Sequence, residues 1–386
     1  MKTVQEALEI ILAEAPPPRP VDVPLAEALG HALAEEVVSD ADVPPFDRAM
    51  MDGYAVRSED SGPREVIEEV PAGRVPSRAV VAGTCAKIMT GAPLPPGADA
   101  VQQVEKVVRE GTRVTLLEPV RPGQNVTPRG RELRRGDRVL GPGRRIGPAE
   151  AGALAAAGRA RVRVYARPRV ALLVTGDELV PPGEVPGPGK IRNSNSFSLA
   201  AQVRELGLAC DDLGVVGDDP EALRARIREG LRRDLLVISG GVSAGDRDFV
   251  IPALEAEGVR IRLHQVRIRP GRPFCFAPGV FGLPGNPVSS FVIFEIFVRP
   301  YLGRTMGLDL SRPRVAARLE TSVDRPNERA QFLPAEIRFE GAGYRARTVP
   351  WAGSADLFAL TRANGFLIVP PGATYEAGAL VECVLL

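Results

Sequence analysis

Carboxylates, arginines and glycines, not histidine or cysteine, carry the chemistry available to this chain. His31 and His264 are its two histidines, and Cys85, Cys210, Cys275 and Cys383 are far apart with no CxxC pairing. A zinc knuckle, a disulfide framework, a histidine-ligated metal and a Ser/His/Asp triad are therefore disfavoured. The polar candidates fall in four Gly-bearing loops: Thr175-Gly176-Asp177-Glu178, Gly217-Asp218-Asp219-Pro220, the run from Ser239-Gly240-Gly241-Val242-Ser243 through Gly245-Asp246-Arg247-Asp248, and Pro284-Gly285-Asn286-Pro287. Ser-Gly-Gly after a strand lets backbone amides approach an anion closely, which makes it a phosphate cradle. Carboxylates from three loops, Glu178, Asp218 or Asp219, and Asp246 or Asp248, are expected to meet above it and hold Mg²⁺ through waters. Taken singly, each loop reads as a turn plus an N-cap; their coincidence at one sheet end is what favours a site. Arg267, Arg269 and Arg272 surround a Pro-Gly turn, an oxyanion clamp if they converge and a solvated hairpin if they do not.

Such loops need a scaffold that collects them. From residue 170 onward, buried strand-like runs alternate with helical periods: 170–174, a helix over 198–206 ended by Gly207, 213–216, a helix opened by Asp219 as N-cap and Pro220 as its first residue, 235–238, runs at 262–268, 274–277 and 280–283, and a helix over 289–301. That alternation predicts an α/β, mostly parallel, helix-covered sheet, in which ligands bind beyond the C-terminal strand ends. Upstream, apolar spacing predicts helices over residues 4–12 and 25–38 and a small-residue helix within 146–159. Between them lies a β-rich insert with runs at 53–56, 65–70, 86–89, 101–108 and 113–117. After residue 310 the chain is β-rich to the end. Four units are expected: a discontinuous helical unit of residues 1–40 with 138–168, an inserted β domain over 41–137, an α/β domain over 169–308 and a C-terminal β domain over 309–386.

Composition narrows the function classes. Formal net charge is +1, with 49 basic against 48 acidic residues, which argues against a general nucleic-acid binder. Forty-five of the basic residues are arginine; seven of them fall within 129–145, a ligand-facing strip or a solvated face or dimer rim. No apolar run reaches membrane-spanning length, and the acidic amphipathic start lacks the regions of a signal peptide, so a cytoplasmic location is expected.

Two Pro/Gly-rich strings in the insert, Pro44-Pro45-Phe46-Asp47-Arg48-Ala49-Met50-Met51-Asp52-Gly53-Tyr54-Ala55-Val56 and Met89-Thr90-Gly91-Ala92-Pro93, complete a larger pattern. With Thr175 to Leu179, Ser239 to Ser243, Ile268 to Pro273 and Gly282 to Ser289, they resemble the molybdopterin molybdenumtransferase (MoeA) family, which includes the catalytic domain of gephyrin. The resemblance covers nearly the whole chain in order. It implies a MogA-like, three-layer α/β domain accompanied by an inserted β domain, a helical segment and a C-terminal β-barrel-like domain. It further implies an elongated homodimer that inserts molybdate into adenylylated molybdopterin, with Mg²⁺-dependent release of AMP, in molybdenum cofactor biosynthesis, and contacts with other proteins of that biosynthesis. By resemblance, Asp52, Thr90, Glu178 and Asp248 are the activity-linked positions. Ser239, Gly240, Gly241, Ser243, Arg269, Arg272, Pro284, Gly285, Asn286, Arg329 and Ser354 would bind substrate and anion; Glu178, Asp218, Asp219, Asp246 and Asp248 would hold the metal.

Three departures from the family pattern stand out. Arg269 and Arg272 replace the lysines of Lys-Pro-Gly-Lys-Pro, and Gln265 stands where a further lysine is usual. Gly245-Asp246-Arg247-Asp248 is one methylene shorter than Gly-Glu-x-Asp. Asn193-Ser194-Asn195 lacks the first carboxylate of Asp-Ser-Asn. A guanidinium stays charged at any working pH, so Arg269 implies a purely electrostatic role. Molybdopterin adenylyl transfer is the competing enzyme reading, though a single-domain sister enzyme would lack the inserted and C-terminal segments. A cofactor-handling scaffold is the non-enzymatic reading and predicts an added linker or partner domain, which these 386 residues do not contain.

Overall fold

Alternate residues of the strand Val170–Thr175 feed two different cores, the signature of a strand covered on both faces. Val170 and Leu172 join a cluster with Leu199 and Val203 of the helix Asn195–Glu205. Ala171 and Leu173 join Leu223 and Ile227 of Pro220–Gly230 and Ala253 and Leu254 of Val250–Ala256. The computed structural model describes residues 1–242 and 249–386; the expectations for Ser243, Asp246 and Asp248 lie outside the described residues. The chain forms two units, one of residues 1–21, 30–32 and 165–386, the other of residues 22–29 and 33–164.

In the first unit, Cys210–Val216, Val170–Thr175, Leu235–Ser239 and Val280–Leu283 lie side by side in parallel, followed by the antiparallel Cys275–Ala277 and Leu263–His264. The expected helices form here. Asp219 caps Pro220–Gly230, accepting from Glu221 N at 3.0 Å and Ala222 N at 3.4 Å, and Pro220 opens it with its φ already set. The helix expected over 289–301 is longer: Pro287–Ile293, a π-helical stretch Phe294–Val298 and Arg299–Thr305 run in succession. At the amino end, Thr3 and Glu6 form a capping box on Val4–Ala13, whose Ala7 and Ile11 enter the core of the α/β sheet.

The run expected as one strand over 262–268 is split. Gln265 takes a left-handed φ of 62°, so Leu263–His264 stays in the α/β sheet while Ile268–Arg269 pairs with Ala330–Glu340. That strand belongs to the C-terminal domain. There Ala330–Glu340, Gly343–Thr348, Arg314–Leu319, Leu380–Leu385 and Gly365–Val369 are paired in sequence, and Gly365–Val369 pairs back onto Ala330–Glu340, closing a five-stranded barrel. Closure removes the free edges an open sheet would expose.

The second unit contains a six-stranded sheet in the order Ala100–Gln103, Gly53–Val56, Thr84–Ile88, Arg64–Val70, Arg113–Leu116, Val107–Glu110. The single run expected over 101–108 is interrupted by a turn at Val104–Lys106. The small-residue helix is Pro148–Ala156; it buries Leu154 and exposes Ala149, Gly152, Ala155 and Ala156. The helix expected over 25–38 is not found. Only the turn Leu25–Glu27 is helical, Gly30 has φ 80°, and Val37–Val38 is a strand paired with Arg138–Leu140. The four-residue apolar spacing there mimics a helix, but Leu33 and Val37 are buried through β pairing and Leu29 is 59% exposed.

Candidate functional site

The neighbouring strands Leu235–Ser239 and Val280–Leu283 end together, and side chains bind their two loops into one floor. Gly240 N donates to Leu283 O at 3.0 Å, and Ser239 Oγ donates to Pro284 O at 3.2 Å. From the helix beneath, Asn195 Nδ2 reaches Ser239 Oγ at 2.9 Å and Gly285 O at 2.8 Å. The glycines are required by space as well as by conformation. Gly240 and Gly241 have φ of 99° and 63°, and a Cβ on Gly240 would lie 2.5 Å from Thr175 O. Of the third family departure, Asn193 accepts from Ser196 N at 3.1 Å and donates to Ser196 Oγ at 2.7 Å. It shapes the start of Asn195–Glu205, and Asn195 is the residue that supports the floor.

Above the floor is a cavity of about 610 Å³ within the first unit. The α/β loops contribute Glu178, Gly241, Pro284, Gly285 and Asn286; the chain crossing into the barrel contributes Arg269 and Arg272, and the barrel Arg329 and Ser354. Nine of the expected site residues thus share one cavity. Arg269 and Arg272 are exposed and Arg329 is half-buried. None of the three is ion-paired to a carboxylate of the described residues; Arg272 Nη2 donates to Gln265 Oε1 at 3.4 Å. Burial, then the positive charges of Arg269 and Arg272, hold the Arg329 guanidinium below its ordinary value. It remains protonated. Among the described residues the neighbouring Glu328 charge only partly offsets this repulsion, and a bound anion would relieve it, which makes the three arginines a candidate oxyanion site. Asn286 Nδ2 donates to Ser354 Oγ at 2.9 Å and Val288 N to Ser354 O at 3.0 Å, so the barrel side of the cavity is fastened to the α/β side.

The expected carboxylates are deployed more unevenly. Glu178 lines the cavity, its carbonyl accepting from Ile191 N at 2.8 Å. Asp219 spends its carboxylate on the helix cap, and Asp218 N donates to Asp177 Oδ1 at 3.0 Å. Neither Asp218 nor Asp219 lines the cavity. Among the described residues no three acidic, histidine or cysteine side chains group to hold a metal ion. Asp52 and Thr90 belong to the second unit. There Thr90 N and Thr90 Oγ1 both donate to Asp52 Oδ1, at 2.7 and 2.6 Å, and these bonds hold the Asp52 carboxyl below its ordinary range. Sequence reasoning missed Ile191, Trp351 and Gly353 in the cavity wall, while Gly271 and Ser289 lie within motifs it had singled out without being named as site residues. Trp351 carried a usable signal: it is the chain's single tryptophan and lies three residues before Ser354.

Comparison with known proteins agrees with this layout. Three family profiles match in order: "MoeA N-terminal region (domain I and II)" over residues 2–158, "Probable molybdopterin binding domain" over 171–304 and "MoeA C-terminal region (domain IV)" over 316–386. The molybdopterin molybdenumtransferase of Staphylococcus epidermidis is 32% identical over 398 residues, covering 99% of this chain and 95% of that one. Molybdopterin molybdenumtransferase 2 of Mycobacterium tuberculosis is 36% identical over 389 residues, covering 96% of each. The crystal structure of the molybdopterin biosynthesis MoeA protein of Pyrococcus horikoshii superposes with a TM-score of 0.84 at 33% identity over all of both chains. With its entire length matched, loops and barrel included, the chain belongs to the MoeA family.

Proposed function

We propose that this chain is a molybdopterin molybdenumtransferase that inserts molybdate into adenylylated molybdopterin and releases AMP in a Mg²⁺-dependent reaction. The observation that supports the reading is that Arg269, Arg272 and Arg329, none ion-paired to a carboxylate of the described residues, line one cavity with Gly241 and the Pro284–Asn286 loop. Forked, permanently charged guanidiniums suit a tetrahedral oxyanion and a phosphate alike. Backbone amides of the glycine loop suit the remaining phosphate oxygens. The names of the full-length relatives favour molybdenum transfer over adenylyl transfer.

On this reading the arginines bind and orient molybdate, Ser354 and Asn286 fix the far wall, and the glycine floor holds the phosphoanhydride in place. The gain comes from alignment of two bound reactants and requires no covalent nucleophile. Glu178 is the carboxylate that the cavity itself offers to Mg²⁺, with Asp248 as the proposed second; one or two carboxylates beside substrate phosphates is the usual donor set for that ion. When bound, Mg²⁺ supplies charge neutralisation at the phosphoanhydride. Asp52 and Thr90 are proposed as activity-linked positions of the inserted domain, where the two Thr90 hydrogen bonds favour the ionised Asp52 carboxylate. A homodimer is proposed from the exposed small-residue face of Pro148–Ala156, to be checked by sedimentation at micromolar protein.

The decisive experiment incubates the purified protein with adenylylated molybdopterin, Mg²⁺ and molybdate and follows AMP. Release that depends on both molybdate and Mg²⁺ is expected. AMP release at the same rate without molybdate, or accumulation of adenylylated product from ATP, would reject molybdenum transfer.

A further inference from the structure

The oxyanion clamp accounts for the charged rim of the cavity but not for its one aromatic wall. We infer that Trp351 is a stacking platform for a planar heteroaromatic ring whose attached phosphate is held by the arginines. Among the described residues Trp351 is the single aromatic side chain lining the cavity. It is half-buried, with part of its surface packed against the principal core. No other ring of the described residues stacks on the indole, and its N–H donates to none of them. The indole is thus packed in part against the core and in part borders the ligand space, and a ring at that position is suited to offset stacking with an electron-poor ring.

The loop that carries the indole is tied down by hydrogen bonds. Val349 N donates to Pro334 O at 2.8 Å, Arg362 Nη2 to Pro350 O at 3.1 Å and Ala352 N to Asp356 Oδ2 at 3.0 Å. Three residues on, Ser354 is tied to Asn286 and Val288. The platform and the phosphate-facing loops are therefore held in one frame, and a ligand with a ring at one end and a phosphate at the other is the chemistry that uses both. A bicyclic pterin and an adenine share that chemistry.

The inference rests on the oxyanion reading of the cavity, yet the two fail separately. Because Trp351 is the only tryptophan, its emission reports on this wall without labelling. The full-length protein is titrated with molybdate, with AMP and with a pterin monophosphate, following emission and, in parallel, heat of binding. Stacking predicts that at least one ring-bearing ligand alters the emission; the arm that does so identifies the ring. Trp351→Leu should weaken that ligand by about 5- to 150-fold, as loss of a stacking partner does elsewhere, while Trp351→Phe stays within about 3-fold because a π-face is kept. Molybdate affinity should be unchanged in both variants, which also confirms that they are folded. The platform is overturned if neither ring-bearing ligand binds, if every one that binds does so with unaltered emission and equal affinity in the leucine variant, or if phenylalanine loses as much as leucine. Absent molybdate binding alongside a Trp351 response would instead reject the oxyanion reading and leave the platform standing.

Discussion

The first unit contains two arginine clusters built on opposite plans. Arg299 and Arg312 converge on Glu295, whose side chain is 0% exposed; Arg299 Nε and Arg312 Nε both lie 2.7 Å from its Oε2, and both Nη2 atoms lie 2.9 Å from Glu205 Oε2. Gln202 Nε2 donates to Glu295 Oε1 at 2.7 Å. Every charge there is answered within the protein. Arg269, Arg272 and Arg329 share a cavity, and no carboxylate of the described residues is ion-paired to any of them. The same residue type is structural where its counter-charge is built in, and is proposed as ligand-directed where no described carboxylate pairs with it. Arginine-rich composition cannot reveal which plan a given arginine follows.

The sharpest way to test that contrast is to break each cluster and read stability and affinity together. Glu295→Ala deprives the buried Arg299 and the half-buried Arg312 of one of their two shared carboxylates and should cost about 3–5 kcal/mol in denaturant unfolding. Oxyanion affinity of the fraction still folded should not change. Arg329→Ala should do the reverse: stability holds or rises as like-charge repulsion is relieved, while molybdate affinity measured by calorimetry falls by about 2–5 kcal/mol, since Arg329 is the half-buried member. The more exposed Arg269 should lose less, about 1.5–3 kcal/mol on substitution by alanine, and Arg269→Lys should keep substantial activity across neutral to mildly alkaline pH. An inactive lysine variant would mark Arg269 as a structural turn residue.

Smaller effects separate the acidic loops. Asp219→Ala removes a helix cap and should cost about 1 kcal/mol of stability without altering Mg²⁺-dependent turnover. Glu178→Gln should leave unfolding within about 0.5 kcal/mol while losing most turnover, a split that a common metal cluster would not produce. The least perturbing test is Asp52. Its carboxyl titrates below its ordinary value in the folded chain because the two Thr90 bonds favour the ionised form. Its contribution to stability is therefore present above the unfolded value and lost as pH falls through the folded one. Thr90→Val removes the hydroxyl donor but keeps the amide, so carboxyl NMR should find Asp52 titrating higher than in the parent and still on the low side. An unchanged titration would show that the hydroxyl contributes nothing.

Much of the fold was legible because local rules and packing agree. The buried run at 170–174, the Asp219-Pro220 helix start, Gly207 after the helix Asn195–Glu205 and the Ser-Gly-Gly turn each state their element in a few residues. The stretch 25–38 misled for the converse reason. Its four-residue spacing fits a helix, but Gly30 and the strand pairing of Val37–Val38 outweigh a weak local preference. Likewise nothing local in 262–268 announces that the chain leaves one sheet at Gln265 and enters another at Ile268.

The types of the candidate site residues were legible in the sequence in part: glycines where backbone could approach an anion, arginines where charge persists, an aspartate before proline where a helix begins. Tertiary structure alone decided which of them meet. Arg269 and Arg329, sixty residues apart in sequence, face one cavity because Ile268–Arg269 is paired beside Ala330–Glu340, and Asp219 is kept from that cavity by the helix it caps. Residue type sets what a side chain can do with charge and hydrogen bonds, whereas the counter-charges it finds depend on strand pairing between segments distant in the chain.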